Sequence, residues 1–335
     1  MRKLINRPED FVEEVVEGII LAYGDRLRLL NGESRVILRN PPARSGKVAI
    51  VTGGGSGHLP VFLGYVGRGL LDGCAIGNVF ASPSSQKMFE MIKAVDSGAG
   101  VLCLYGNYGG DNMNFDMACE MAEFEDIKTR TVRVRDDVAS SPPELAEKRR
   151  GVAGMVYAFK VAGAAAEVGL DLEGVAGVAQ KALHNIRSMG VALSPCVVPQ
   201  VGKPTFTINE NEIEIGMGIH GEPGIEVRPM MSADEVARII FDRISTELDL
   251  SAGAEVSVMV NGLGATPLEE LLIVYRAVAK MLADRSVSIF MPHIGEFATS
   301  MEMAGLSITI FRLDEELKGY LSALASTPFY TSENK

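Results

Sequence analysis

Three glycine-bearing turns carry the side chains best suited to chemistry. The first, Gly53-Gly54-Gly55-Ser56-Gly57-His58, directly follows the β-branched run Lys47-Val48-Ala49-Ile50-Val51-Thr52. A dinucleotide fingerprint needs G-x-G-x-x-G; from Gly53 its third glycine would fall on His58, so that pattern fails. A phosphate-binding P-loop needs G-x-x-x-x-G-K-[ST], and no Lys-Ser or Lys-Thr pair follows. Two readings stay open. Either backbone N–H groups of the loop approach the hydroxyls of a small ligand and His58 carries a proton, or the segment is a tight turn with a packed histidine.

The second turn, Tyr105-Gly106-Asn107-Tyr108-Gly109-Gly110, leads into Asp111. A carboxylate at a strand end can act as general base toward a substrate hydroxyl, or it can cap the helix expected from about Asn114. The third involves one of only four histidines. His184 lies in the helical run KALHNIRSMG and reads as a surface or packing residue; His293 follows a strand-like run and reads as structural. His220 ends the alternating run Glu212–His220 and precedes Gly221-Glu222-Pro223-Gly224, a strong turn signal that can project an imidazole into a cleft. Asp136-Asp137 is a further pair, either cap or weak cation ligand. There is no HExxH, CxxC or EF-hand pattern, so no metal site is expected. The chain also lacks a recognisable cradle for nucleotide phosphates and Mg²⁺. If it serves phosphoryl transfer, the donor must sit on another polypeptide.

The elements that position these turns read as α/β. Strand-like runs at 47–52, 101–105 and 131–134 alternate with helical stretches at 8–24, 86–95, 114–124 and 144–168. A long helix at 172–189 and the Pro-containing segment Ser194–Pro199 mark a boundary, placing an N-terminal domain at 1–190 and a C-terminal domain at 191–335. In the latter, strands are expected at 212–220, 225–227, 255–260 and 286–291, and helices at 235–247, 267–283 and 313–325. Ser232 and Glu235 have capping-box spacing at the start of the first of these helices. At 335 residues, two domains are the default. A net charge of -11 argues against nucleic acid, which needs a basic face. Four scattered cysteines read as reduced, mostly buried thiols. No apolar run reaches the roughly 18 residues of a membrane span and no leader pattern opens the chain, so a cytoplasmic protein is expected.

Ten segments spread over the chain in order carry a family resemblance. They include GGGSGH (53–58), GYVGRGLLDG (64–73), NVFASP (78–83), NYGGDNMNFDMA (107–118), RRGVAG (149–154), KVAGAAAE (160–167), GIHGEPG (218–224) and MEMAGLSITIFRLD (301–314). Together they resemble the substrate-binding subunit of the dihydroxyacetone kinase family. The resemblance implies two α/β domains, each a mixed sheet flanked by helices, in a homodimer, with the ketose pocket in the first domain and a covalent histidine supplied by the second. It implies that His220 binds the substrate carbonyl as a hemiaminal, for which only the neutral imidazole has a free lone pair. Asp111 would deprotonate or orient the substrate hydroxyl, and His58 would hydrogen-bond the substrate and assist proton movement. Gly55, Ser56, Gly57 and Gly106 would line the pocket.

This chain resembles the split form of the family, in which a separate helical, nucleotide-binding subunit of the DhaL type holds ATP or ADP with Mg²⁺. No cofactor is expected on this chain itself. Two departures concern the substrate. Leu59 stands where the family usually has Glu, and Gly106 where it often has Lys. The lost lysine opens volume and removes a donor, so a tetrulose such as erythrulose is expected, with dihydroxyacetone the other candidate. A rival implied by the same resemblance is a ketone sensor that acts on a transcriptional regulator.

Overall fold

The computed structural model describes residues 3–333. In chain order its helices are α1 (Phe11–Tyr23), α2 (Ser85–Val95), α3 (Gly109–Glu123), α4 (Met155–Glu167), α5 (Leu172–His184), α6 (Ala233–Ser245), α7 (Leu268–Asp284) and α8 (Glu315–Ser322). Its strands are β1 (Leu27–Leu30), β2 (Glu33–Arg39), β3 (Ala49–Ser56), β4 (Gly73–Val79), β5 (Val101–Gly106), β6 (Thr129–Val134), β7 (Ile186–Ser194), β8 (Glu212–Ile215), β9 (Glu226–Pro229), β10 (Glu255–Gly262), β11 (Ser288–Gly295) and β12 (Ala304–Leu313), followed by the short pair β13 (Ala325–Ser326) and β14 (Thr331–Ser332). No helix among the described residues is long and apolar enough to cross a membrane.

The chain forms two compact α/β units. The first takes the residues up to Val134, Val156–Lys181 and those from Leu317 onward; the second takes Arg135–Met155 and Ala182–Glu316. These differ from a single cut at 190/191. Residues 135–155 join the second unit because Asp137 bridges Ser188 of β7 and Val138 enters that core. The C-terminal segment joins the first, where Ser326 bridges Arg68 and the Thr327 hydroxyl donates to Gly64 O at 2.8 Å. Such returns are long-range pairings, invisible to local periodicity.

The first unit holds a six-stranded mixed sheet in the order β1-β2-β4-β3-β5-β6. β3 runs parallel to β4 and β5, and β5 parallel to β6, while β1, β2 and β4 pair antiparallel. One face is covered by α2 and α3, whose Met88, Met91, Ile92, Phe115 and Ala118 pack on Val51, Val101, Cys103 and Tyr105. The carboxyl ends of β3 and β5 carry the first two glycine turns, the edge at which parallel sheets of this type bind ligands.

The expected halt of β3 at its glycines does not occur. The strand continues through Gly53, Gly54 and Gly55 to Ser56. A side chain would be expelled there: a Cβ on Gly54 would lie 2.4 Å from the Phe62 ring, and one on Gly55 2.7 Å from the Ala81 amide nitrogen. The glycines are strand residues that let neighbouring chain come close.

The second unit holds a mixed sheet in the order β11-β10-β12-β7-β8-β9, with only β10 and β11 parallel. α6 and α7 cover it, burying Ile240, Phe241, Val274 and Val278 against Val258 and Ile308. The capping box forms: Ser232 Oγ accepts from Glu235 N and the Glu235 carboxylate accepts from Ser232 N. The helix expected over 172–189 stops at His184, and residues 186–194 form central strand β7 instead. β7 is buried on both faces over most of its length and so lacks the alternation that marks a half-exposed strand. Likewise the 144–168 stretch is a 3₁₀ segment (Pro143–Lys148) and α4, separated by irregular chain that ends in a turn.

Candidate active site

The candidate residues fall in both units. In the first, His58, Asp111, Ser56 and the glycines at 55, 57 and 106 sit where β3 and β5 end. His58 is buried, and its ring stacks on Phe80 (centroids 4.8 Å apart, planes at 21°) with the edge of Phe62 at 6.0 Å. Both aromatic residues adopt positive φ, +58° for Phe80 and +71° for Phe62. Such sparsely populated backbone conformations cost a non-glycine residue about 1–3 kcal/mol, and strain of this kind clusters at functional sites. Gly57 (φ +99°) makes the turn into His58.

Ser56 Oγ donates to Gly77 O at 2.8 Å, and Phe80 N donates to Ser56 O at 3.0 Å. The end of β4 and the loop after it are thereby clamped on the end of β3. A Cβ on Gly77 would fall 1.8 Å from Ala81 O, so only glycine closes that clamp.

Asp111 is not a cap preceding a helix at 114. α3 begins at Gly109, and Asp111 lies in its first turn, 9% exposed. Its carboxylate there meets the positive end of the helix dipole. Three bonds fix the start of α3: Asn112 Nδ2 donates to Asn107 Oδ1 (2.9 Å), and Asn114 Nδ2 donates to Ser82 Oγ (3.2 Å) and Pro83 O (2.8 Å). Beneath them Tyr105 and Phe115 stack at 4.1 Å. Gly106 is buried at the last position of β5, and its carbonyl accepts from Tyr108 N.

In the second unit, β8 ends at Ile215, so His220 stands not at a strand end but within the loop joining β8 to β9. Gly216 (φ +82°) leaves the strand and Gly221 (φ +80°) folds the chain back. The loop is closed by Gly218 N to Glu222 O (3.1 Å), Gly221 N to Gly218 O (3.1 Å) and Gly224 N to the Glu214 carboxylate (2.7 Å). Glu222 is the residue that sequence reasoning missed. One carboxylate oxygen lies 2.8 Å from His220 Nδ1, and the other accepts from His220 N at 2.9 Å. Burial pushes this carboxyl up, but the His220 ring and backbone amides more than reverse that, holding it at about 2. The H-G-E spacing carries the signal, in a segment whose Gly221-Glu222-Pro223-Gly224 also marks a turn.

The loop is supported from behind. Arg150 donates to Gly216 O at 3.0 Å and pairs with Asp137 at 2.8 Å. Burial pushes Asp137 up to about 6 against the pull of Arg150. Asp136 is buried too and accepts from Val152 N and Gly154 N, both at 2.8 Å. The Asp136–Asp137 pair thus organises the loop's foundation through its own bonds. His184 ends α5, and His293 lies in β11 edge-on to Phe297 at 5.7 Å.

A carboxylate on Nδ1 fixes an imidazole tautomer with the proton on Nδ1 and the lone pair on Nε2. That is the form of histidine able to add to a carbonyl carbon. A model of the Dak1 domain matches residues 17–329. The chain is 46% identical over 330 residues to the dihydroxyacetone-binding subunit DhaK of a PTS-dependent dihydroxyacetone kinase from Listeria innocua, covering 98% of this chain and 99% of that subunit. It is 43% identical over 334 residues to the L-erythrulose kinase of Pectobacterium atrosepticum, 98% of this chain but 56% of that enzyme. The solved structure of the dihydroxyacetone kinase operon co-activator Dha-DhaQ superposes with a TM-score of 0.90 at 31% identity, covering 96% of this chain and 98% of that one. The chain belongs to the Dak1 domain family and is a DhaK-type protein.

Proposed function

We propose that this chain is the substrate-binding subunit of a ketose kinase and holds a short hydroxyketone covalently on His220. The observation that carries the reading is the 2.8 Å contact between His220 Nδ1 and Glu222, within the segment GIHGEPG. Nε2 adds to the carbonyl carbon, the C=O π pair moves to oxygen, that oxygen takes up one proton, and the Nδ1 proton is released through Glu222, which leaves a neutral hemiaminal. Polyols such as glycerol have no electrophilic carbon and are rejected. Asp111 accepts the proton of the terminal hydroxyl as that oxygen attacks the donor phosphorus, and His58 hydrogen-bonds the substrate and assists proton movement. Fixing the carbonyl turns loose binding into near-attack geometry.

The donor is ATP, or a bound ADP rephosphorylated through a relay, held with Mg²⁺ by a separate nucleotide-binding subunit of the DhaL type. The Listeria relative, matched over nearly its whole length, is named as a binding subunit, which supports this division of labour. In this reading the subunit works in the cytoplasm as a homodimer. The substrate is a short ketose, erythrulose or dihydroxyacetone. Gly106 in place of a lysine favours the larger sugar, and the relatives named for each ketose support both.

The test uses ketone labelled with ¹³C at the carbonyl. On binding, the carbonyl resonance should move into the sp³ range for the wild type and not for His220→Ala. Addition of the partner subunit and donor should then yield ketose phosphate. A signal in His220→Ala like that of wild type would overturn the hemiaminal assignment. A second reading, a ketone-sensing co-activator, is favoured by the likeness to the Dha-DhaQ structure. A chain that carries Asp111 and His58 as well as a ketone-binding histidine favours catalysis, since sensing needs no base. Adduct formation with no transfer would select the sensor.

A further inference from the structure

Two cysteines, one on the helix that carries Asp111 and one on the strand that precedes it, take no part in the proposed chemistry. Cys103 lies within β5 and is fully buried; Cys119 lies on α3 and is half-buried. Their sulfurs are 3.8 Å apart, in van der Waals contact, and Thr131 Oγ1 of β6 stands 3.9 Å from Cys119 Sγ. The other two thiols face oxygen: Cys74 Sγ lies 3.4 Å from Ala75 O, and Cys196 Sγ lies 3.7 Å from Thr205 Oγ1 and 3.8 Å from Ser300 Oγ.

A thiol reacts as its thiolate, and of two sulfurs sharing a proton the one nearer water ionises at lower cost. That sulfur is Cys119. Hydrogen bonding from Cys103 draws its thiol down to about 7, with help from Thr129 and Thr131, while the same bond and complete burial push Cys103 up. An ionised, partly accessible thiol in contact with a protonated one is the arrangement of an attacking and a resolving cysteine.

We propose that Cys119 and Cys103 form a hydroperoxide-reactive dithiol that closes to a reversible disulfide between α3 and β5. Cys119 thiolate attacks the nearer peroxide oxygen, the O–O bond breaks, and the leaving oxygen departs as water or alcohol after taking a proton, which leaves a sulfenic acid on Cys119. Cys103 sulfur then attacks that sulfur and displaces the oxygen as a second molecule of water, its own proton leaving with it. Both thiols are oxidised to the disulfide and one peroxide is reduced, so the balance is complete. Bond formation needs the sulfurs to close from 3.8 Å to about 2.05 Å. Rotation of the two side chains with a small approach of α3 to β5 supplies that distance.

The test uses the full-length chain, hydrogen peroxide, alkylation of residual thiols, and peptide mapping without reductant. A peptide linking residues 103 and 119, lost on treatment with dithiothreitol, is the expected result. Alkylation of both cysteines after peroxide, or a link through Cys74 or Cys196 instead, would overturn the proposal. Two variants assign the roles. Cys103→Ser should accumulate a dimedone-trappable sulfenic acid on Cys119, at a rate that rises with pH through about 7 and levels above it. Cys119→Ser should leave Cys103 at least tenfold slower to oxidise. Dimedone labelling of Cys103 in Cys119→Ser at the wild-type rate would reverse the assignment.

Discussion

The end of β3 in the first unit and the 216–224 loop in the second position their candidate site residues by opposite means. Around β3, placement comes from contact: glycines at 54, 55 and 77 admit a ring and two stretches of backbone that any Cβ would expel, and His58 is gripped between Phe80 and Phe62. Around His220, placement comes from charge: a carboxylate on Nδ1 and on the backbone amide, an arginine on Gly216 O, and a second carboxylate behind the arginine. A steric frame is insensitive to pH but intolerant of volume. An electrostatic frame tolerates volume better but depends on keeping its charges. Substitutions that change one property at a time should therefore give different signatures in the two regions.

The largest effect is expected at Asp111, the one charge in the steric region assigned to chemistry. Asp111→Asn keeps shape and should leave ketone binding intact while slowing transfer by about two to four decades, the range for a positioned acid–base group. Single-turnover rates with the partner subunit measure it; an unchanged rate removes the assignment. Next comes Glu222. Glu222→Ala deletes a charged hydrogen bond contributing about 1.5–3 kcal/mol, so ketone affinity should fall roughly 10- to 100-fold. Glu222→Gln, which can still accept from Nδ1, should lose less. If Glu222→Ala binds ketone as tightly as wild type, the loop is not organised by charge. Because the Glu222 carboxyl is held at about 2, below its ordinary 4.5, its contribution is complete above pH about 4.5 and disappears as the pH falls toward 2.

How much of this could be read in the sequence differs between the regions for the same physical reason. Strand β5 and helices α2, α6 and α7 were legible within a few residues because periodicity and a capping box are local signals. The continuation of β3 through its glycines was not, because what makes glycine obligatory there is Phe62, Phe80 and Ala81 arriving from further along the chain. β4 and β12 were also missed. β4 is rich in small residues and almost wholly buried, and β12 is buried over most of its length, so neither alternates. At the candidate site, His58, Asp111 and His220 were legible as residue types at turns. The role of Glu222 depends on the backbone reversal at Gly221, which turns a spacing of two residues into a hydrogen bond.

A smaller effect tests the steric half directly. Gly55→Ala adds one methyl against Ala81 N at 2.7 Å and Phe80 Cα at 2.9 Å, backbone atoms that cannot rotate away. Overpacking of this kind costs about 1–3 kcal/mol. Thermal denaturation should show the loss at every pH from 5 to 9, since no titrating group is involved. A wild-type midpoint would mean that the loop after β4 yields easily and that contact is not what holds His58.

The smallest effect, at Ser56, separates the two regions most finely. Its hydroxyl proton is committed to Gly77 O at 2.8 Å, so toward a ligand Oγ can only accept. Ser56→Ala removes one partly buried neutral hydrogen bond, about 1 kcal/mol, and should lower the midpoint by about 2–4 °C for a unit of this size. If Ser56 is chiefly a clamp, ketone affinity should fall far less than in Glu222→Ala. If affinity instead falls as far as it does there, the serine is a polar ligand of the substrate in its own right. The contrast between a steric and an electrostatic half would then fail at the residue where the two kinds of interaction meet.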